Sequence, residues 1–305
     1  MKNLVDFALK EKYNQVKKLR SRLEDMKSLI DWEAFLPLFP EKETNLGRPA
    51  YDKILMLKIL IIQSWYGISD EELEFQIYDR LSFQQFLDFP KNIPDYSTIW
   101  RFREELSEGD TLDKIWAELK RQIKEKNLRI KEGVIQDATF ITADPGRQKS
   151  SSALRGRDAN TSRSKDGTWT KKGKKSFFGF KKHVKIQKGS KIIEEVAITT
   201  ARVHDGAIDL ANPDEIVYKD RGYTGIKTKA KGNGTMKRGN LTPKQKLRNK
   251  RITKRRAEGE HPFATIRKSF KGGHTRLTTI CRVFVQQVFV CVSYNIYRIR
   301  YLTTT

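Results

Sequence analysis

The chain has 305 residues, with 61 Lys+Arg against 37 Asp+Glu and a formal net charge of +24. That length accommodates two domains, and 37% hydrophobic with 10% aromatic residues is enough for packed cores, which excludes a disordered basic tail. The charge balance asks for a polyanionic partner, most simply nucleic acid; membrane-surface binding would want a basic amphipathic helix or a lipidation signal, and neither is clear.

In residues 5–36, Val16, Leu19, Leu23, Met26 and Ile30 recur at three- and four-residue steps. They make one apolar helical stripe, which could dimerise or pack on the next helix. Residues 46–126 read as a helical domain. Tyr51 to Tyr66 is a mostly apolar helix stopped by Gly67, and Ser69-Asp70-Glu71-Glu72 has the composition of a helix start. Pro90 and Pro94 break the pattern. Ser97 then serves as N-cap for a helix over 98–106 that carries Trp100, Arg101, Phe102 and Arg103. Short helices ending in one with two arginines fit a helix-turn-helix, with Arg101 and Arg103 on DNA, and fit an ordinary packing unit equally well.

From Gly133 the character changes to strands. Gly133 to Ile141, Ser176 to Ile186, and Ile192 to Thr199 read as three strands, followed by a short helix over 205–212 and a fourth strand, Glu215 to Asp220. Residues 145–175 are rich in Ser, Gly, Arg and Lys and read as a mobile basic loop or ribbon; Trp169 in it, and Phe177 just after it, could stack on an extruded base, though packing is the commoner role. Residues 221–256 hold 14 Lys or Arg and no acid. A solvated face of that density repels itself, so phosphate contact is expected. Leu277 to Tyr301 is apolar nearly all round and reads as a buried core helix, with Arg282, Gln286 and Gln287 arguing against a membrane span. Cys281 and Cys291 read as core thiols, and no zinc-ligand spacing occurs. The start, Met1-Lys2-Asn3-Leu4, lacks a signal-peptide core, so an intracellular, cytoplasmic protein is expected.

Three acids stand out against these basic surroundings: Asp137 inside the first strand, Asp220 ending the fourth, and Glu260 after the basic segment. An ionised Asp in a strand is costly unless paired or bound to a cation. Three converging carboxylates need cations. Two divalent ions roughly 3.5–4 Å apart would suit them and would clamp the two reacting oxygens of a phosphodiester. Mg²⁺ is the natural ion, and Mn²⁺ can substitute.

Six stretches, in order, resemble a prokaryotic insertion-sequence transposase of the DDE type, in the insertion-sequence-five family. They are Pro94 to Arg103; Asp137-Ala138-Thr139; Phe178-Gly179-Phe180-Lys181-Lys182-His183; Ala201-Arg202-Val203-His204-Asp205; Asp220-Arg221-Gly222-Tyr223; and Glu260-His261-Pro262-Phe263. The resemblance implies an α+β or α/β chain: a helical DNA-binding domain over 1–126, then an RNase H-like mixed-sheet catalytic domain over 127–305. That domain would have a basic insertion at about 221–256 and a C-terminal helix. It implies Asp137, Asp220 and Glu260 as catalytic and metal-ligating residues, with Arg256 and Arg267 or Lys268 on phosphates. In the family pattern around the third acid, Thr253 stands at a Tyr position and Arg267 at a Lys position. Glu258 is the neighbouring alternative to Glu260, and Pro262 requires Glu260 to lie in a first helical turn or at a kink. The implied activity is cleavage at the ends of the element and transfer of the freed 3′-OH into target DNA. No small-molecule cofactor is needed, and the expected partners are double-stranded DNA and a second copy of the chain, at the nucleoid. A silent DNA-binding regulator and a plain metal-dependent nuclease are the alternatives. His183 and His204 are expected to make structural hydrogen bonds rather than to catalyse.

Overall fold

A computed structural model describes residues 11–12, 14–15, 22–40, 49–126, 128, 133–146 and 164–304. The expected helical positions Val16 and Leu19, and the stretch 147–163 of the expected basic loop, lie outside the described residues. The chain divides into two compact units, residues 1–126 with 299–305, and residues 127–298.

The first unit contains α1 (Arg22–Leu29), a 3₁₀ turn (Glu33–Leu38), α2 (Lys53–Tyr66), α3 (Asp70–Asp79), α4 (Leu81–Phe86), α5 (Tyr96–Ser107) and α6 (Thr111–Glu125). Leu23, Met26 and Ile30 are buried, as their spacing predicts. Helix α2 is buried on nearly every side. It is capped by the Asp52 carboxylate on Leu55 N–H at 2.6 Å and ends at Gly67, whose φ of 59° is the left-handed conformation that glycine adopts at no steric cost. Ser69 caps α3. The cap of α5 is Asp95 rather than Ser97, because the Asp95 carboxylate accepts from Thr98 N–H at 2.6 Å and starts the helix two residues earlier.

Arg103 on α5 is only 8% exposed. Its guanidinium donates to both Asp70 oxygens, at 2.8 and 2.6 Å, and to Gln63 Oε1 at 3.0 Å, tying α5 to α2 and α3. Removing one partner of such a pair strands the other charge. Arg103→Ala is therefore expected to cost about 3 kcal/mol, read as a fall in the chemical-unfolding midpoint. Arg103→Lys would recover only part, because an ammonium cannot span both oxygens.

The second unit is built on one mixed sheet: β1 (Val134–Ala143), β2 (Thr168–Lys172), β3 (Lys175–Gln187), β4 (Ile193–Thr200), β5 (Ile216–Tyr218), β6 (Gly232–Asn233) and β7 (His274–Thr275). The order is β2-β3-β1-β5-β6, with β4 also on β3 and β7 on β1. β1 and β3, and β3 and β4, are antiparallel; β1 with β5, and β5 with β6, are parallel. This is the sheet expected of an RNase H-like core. Helices α7 (Pro243–Arg256), α8 (Glu260–Ser269) and α9 (Ile280–Thr304) complete the unit, except that the last residues of α9 belong to the first.

Three local expectations change. Residues 168–175 of the supposed loop form a hairpin, with Trp169 opposite Phe178 and Thr170 opposite Phe177; their Lys content hides the alternation. Residues 205–212 hold only a 3₁₀ turn, Asp205–Ala207, since Gly206 and Pro213 do not sustain a helix. The basic segment after Asp220 is a 3₁₀ turn, an edge strand and the well-capped helix α7, whose Thr242–Gln245 capping box starts it.

Helix α9 is long and apolar enough to cross a membrane by composition, but 67% of its apolar window is buried. Asn295 pairs with both the N–H and the carbonyl of Ile193 at 2.9 and 2.8 Å, and Gln287 accepts from the buried Lys182 ammonium at 3.0 Å. Cys291 is buried beside Lys182, whereas Cys281 is exposed and so is not the core thiol its apolar context suggested.

Candidate active site

Strand β1 alternates two faces, and Ile135, Asp137 and Thr139 share one of them. The α7–α8 segment lies over that face. Gly259 sits so close to Ile135 that an added Cβ would meet Cγ2 at 2.8 Å. Arg256 donates to Asp137 Oδ2 at 2.8 Å, and Arg267 to Thr139 Oγ1 at 3.4 Å. The resemblance implies Arg256 on DNA phosphate; in the fold its guanidinium sits on the first acid.

Asp220 arrives from the adjacent parallel strand. Ile135 pairs with Tyr218, the last residue of β5, and Asp220 follows two residues beyond, where its charge acts on Asp137. Asp220 Oδ1 accepts from Gly222 N–H at 2.7 Å and caps the 3₁₀ turn Arg221–Tyr223. Residues 83 apart in sequence thus become electrostatic neighbours. Burial pushes the Asp137 carboxyl above its ordinary pKa; Arg256 and the Ala138 N–H pull it down, and the charges of Asp220 and Asp205 push it up again, leaving it raised.

Two members of this neighbourhood escaped the sequence reading as site residues, although both lie inside stretches that carried the resemblance. Asp205 is paired with Lys181 Nζ at 2.8 Å and adds its field to Asp137. Tyr223 is 1% exposed, and burial first, then Asp205, Asp137 and Asp220, drive its phenol far above the ordinary range. Its hydroxyl lies beside Gln136 but outside good hydrogen-bond geometry, since the Gln136 amide already serves Ile208 O and Leu210 N–H at 2.6 and 3.2 Å. Burial near acids was the missing signal, and composition does not encode it.

Glu260 opens α8 and is exposed, with Pro262 in the first helical turn where its missing N–H costs nothing. Its carboxylate makes no hydrogen bond or ion pair among the described residues. Among those residues no group of three or more His, Cys, Asp or Glu lies close enough to hold a metal ion. Asp137 and Asp220 interact electrostatically, and Glu260 completes no such three-acid group with them among the described residues. The alternative, Glu258, is committed elsewhere: Oε2 accepts from Gly189 N–H at 2.8 Å in the β3–β4 turn.

The remaining candidates separate by exposure. Lys268 is exposed beside Arg267, and Arg101 is exposed on α5. Arg103 faces inward and holds Asp70, so its charge is spent on packing. Trp169 is 54% exposed and leans on Phe178 with ring centroids 5.3 Å apart. Phe177 stacks flat on Phe140 with ring centroids 4.9 Å apart, a packing role.

Both histidines make hydrogen bonds that hold structure. His183 Nε2 lies 2.8 Å from Thr199 Oγ1, and His204 Nδ1 accepts from Gly206 N–H at 3.1 Å. Burial pushes the His183 pKa down to about 4. A depressed His pKa means that its stabilising neutral form is fully present above about 6.5 and is lost as pH falls toward 4. At about 1.4 kcal/mol per unit, this is worth about 3 kcal/mol. His183→Gln is expected to flatten the fall in melting temperature between pH 6.5 and 4, measured against the parent.

A family model described as Transposase DDE domain matches residues 129–296, more than half of the chain. A second, described as Transposase domain (DUF772), matches residues 10–105. No solved structure matches the chain.

Proposed function

The chain belongs to the DDE transposase family, and from that premise we propose that it cuts DNA at the ends of an insertion sequence and joins the freed 3′-OH ends to target DNA. Family membership makes it a DNA-binding transposase enzyme of a class that uses divalent metal ions. The single observation that supports the finer reading is that Asp220, two residues past β5, acts electrostatically on Asp137 in the adjoining strand β1.

The site fits a cation. Its donors are hard carboxylate oxygens: burial first, and then the charges of Asp220 and Asp205, hold Asp137 raised against the pull of Arg256, and Asp220 Oδ1 accepts from Gly222 N–H. Asp137 and Asp220 would hold the metal, with Glu260 as the third acid and two Mg²⁺ as the full complement. Bound divalent ions supply the positive charge that polarises the scissile phosphodiester and eases formation of the attacking oxygen. Arg256 neutralises Asp137 and is positioned to turn toward a phosphate when a cation takes its place. Arg267 and Lys268 add positive charge one helix further on. Arg101 and Trp169 are the outlying DNA contacts. Two ends must be cut and joined together, so the working form is a dimer acting on chromosomal DNA at the nucleoid.

A supercoiled plasmid incubated with a pre-cleaved element end and Mg²⁺ tests the reading. Joined products support the transposase. Nicks alone would mean a nuclease, and binding without cleavage a silent regulator; the ungrouped Glu260 is the observation that favours this last alternative.

A further inference from the structure

Helix α7 carries a second basic array, on a side that does not face Asp137. Lys244, Arg248, Arg251 and Arg255 follow steps of four, three and four residues and form one narrow stripe. From first to last they span about 16 Å of helix, at 1.5 Å per residue. This stripe walls a groove of about 550 Å³ whose other wall is β5 and the edge strand β6. No Asp or Glu lines it.

The groove is shaped as well as charged. Arg255 lies 5.3 Å from the Tyr218 ring centroid and donates to its hydroxyl at 3.0 Å, so the guanidinium is held in place against an aromatic wall. Arg248 is fixed by the Thr235 and Asn233 carbonyls at 2.7 and 3.0 Å, which also cover the free edge of β6. Leu247 and Ile216, both about half exposed, supply apolar surface between the cations. Lys244 and Arg251 are exposed, and no hydrogen bond or ion pair of theirs occurs among the described residues.

We infer that this groove binds one unpaired DNA strand, its phosphates on the Lys244–Arg255 stripe and a base against Leu247 and the supported Arg255. A cavity of this size admits one or two nucleotides and not a duplex, and cations interleaved with flat or apolar surface are what single strands recognise. Arg256, the next residue along, turns to Asp137, so a strand here runs beside the proposed cleavage site. The inference rests on the DNA-processing reading but does not require cleavage.

The test compares the parent with the Lys244→Ala/Arg251→Ala double variant, whose replaced side chains hold nothing in the fold. Binding of a labelled oligothymidylate and of a hairpin duplex is followed by fluorescence anisotropy across a salt series. Loss of two contacts should flatten the single-strand salt slope by about 1.4 while leaving duplex binding within twofold. A photoreactive thymidine should crosslink to the peptide 243–256. Equal losses on both DNAs would reassign the groove to duplex phosphate, and no loss on either, or crosslinks only elsewhere, would overturn it. Oligouridylate binding as tightly as oligothymidylate through the same crosslink would overturn its assignment to DNA. Running Asp137→Asn alongside keeps the two readings apart, because that variant should bind the oligothymidylate normally while failing to nick.

Discussion

Asp137→Asn is expected to reduce Mg²⁺-dependent nicking by about a hundred- to a thousandfold, the scale on which an active site loses rate when one preorganised electrostatic contact is removed. Affinity for DNA should stay near the parent value, because it rests on Lys and Arg contacts. The stability signature runs the opposite way. The folded pKa of Asp137 is raised, so its charged form is disfavoured in the native state, and the carboxylate lowers stability as pH climbs through that pKa. At neutral pH the amide is expected to hold the melting temperature or raise it by about 1–3 °C. Mg²⁺ should raise the melting temperature of the parent by mass action and leave that of Asp137→Asn unmoved. Nicking at the parent rate, or an unchanged Mg²⁺ response, would remove Asp137 from the site.

Gly179→Ala is expected to be the most damaging single methyl group in the catalytic unit. Gly179 has a φ of 138°, a conformation that L side chains rarely adopt, and a Cβ there would run into the Ile141 carbonyl oxygen. The position is a junction. It pairs with Thr142 on β1 and Thr168 on β2, and its carbonyl accepts from Ala201 N–H at 3.1 Å where β4 ends. Its neighbours Phe178 and Phe180 lie in the core cluster with Ile141 and Val283. A side chain must therefore displace the β1 backbone at Ile141 to Ala143, within this junction, and a cost of about 3 kcal/mol or more follows from strain and clash together. Chemical unfolding of the isolated Asn127–Arg298 region is not required, because the loss should appear as an early transition in the full chain. A midpoint equal to the parent's would show that the strands can part without penalty.

The sequence made some of this readable and concealed the rest for identifiable reasons. Ile54 to Trp65 announces a buried helix because it is apolar on every side, and Gly67 marks its end because only a left-handed residue fits there. The strands that carry Asp137 and lead to Asp220 are visible as β-branched runs, and Gly179 stands out because it interrupts the strand read over Ser176 to Ile186. What a carboxylate meets across space is not periodic. Asp205 beside Asp137, Arg256 on Asp137 and the Tyr223 hydroxyl buried among acids follow from crossovers between strands, and no local pattern carries them. Arg101 and Arg103 look alike in sequence, yet one faces solvent and the other holds Asp70, because two residues along a helix is more than half a turn.

β5 is only three residues long and meets β1 through two residue pairs, Val134 with Val217 and Ile135 with Tyr218. Those few rungs set the alignment of two carboxylates. Deleting a single residue from Ile216 to Lys219 would shift the partner by one rung and turn every following side chain to the opposite surface. Lengthening the connection between Thr200 and Ile216, by contrast, leaves the rung count intact. Natural variation in chain length is therefore expected to collect in connections and to avoid this three-residue ruler.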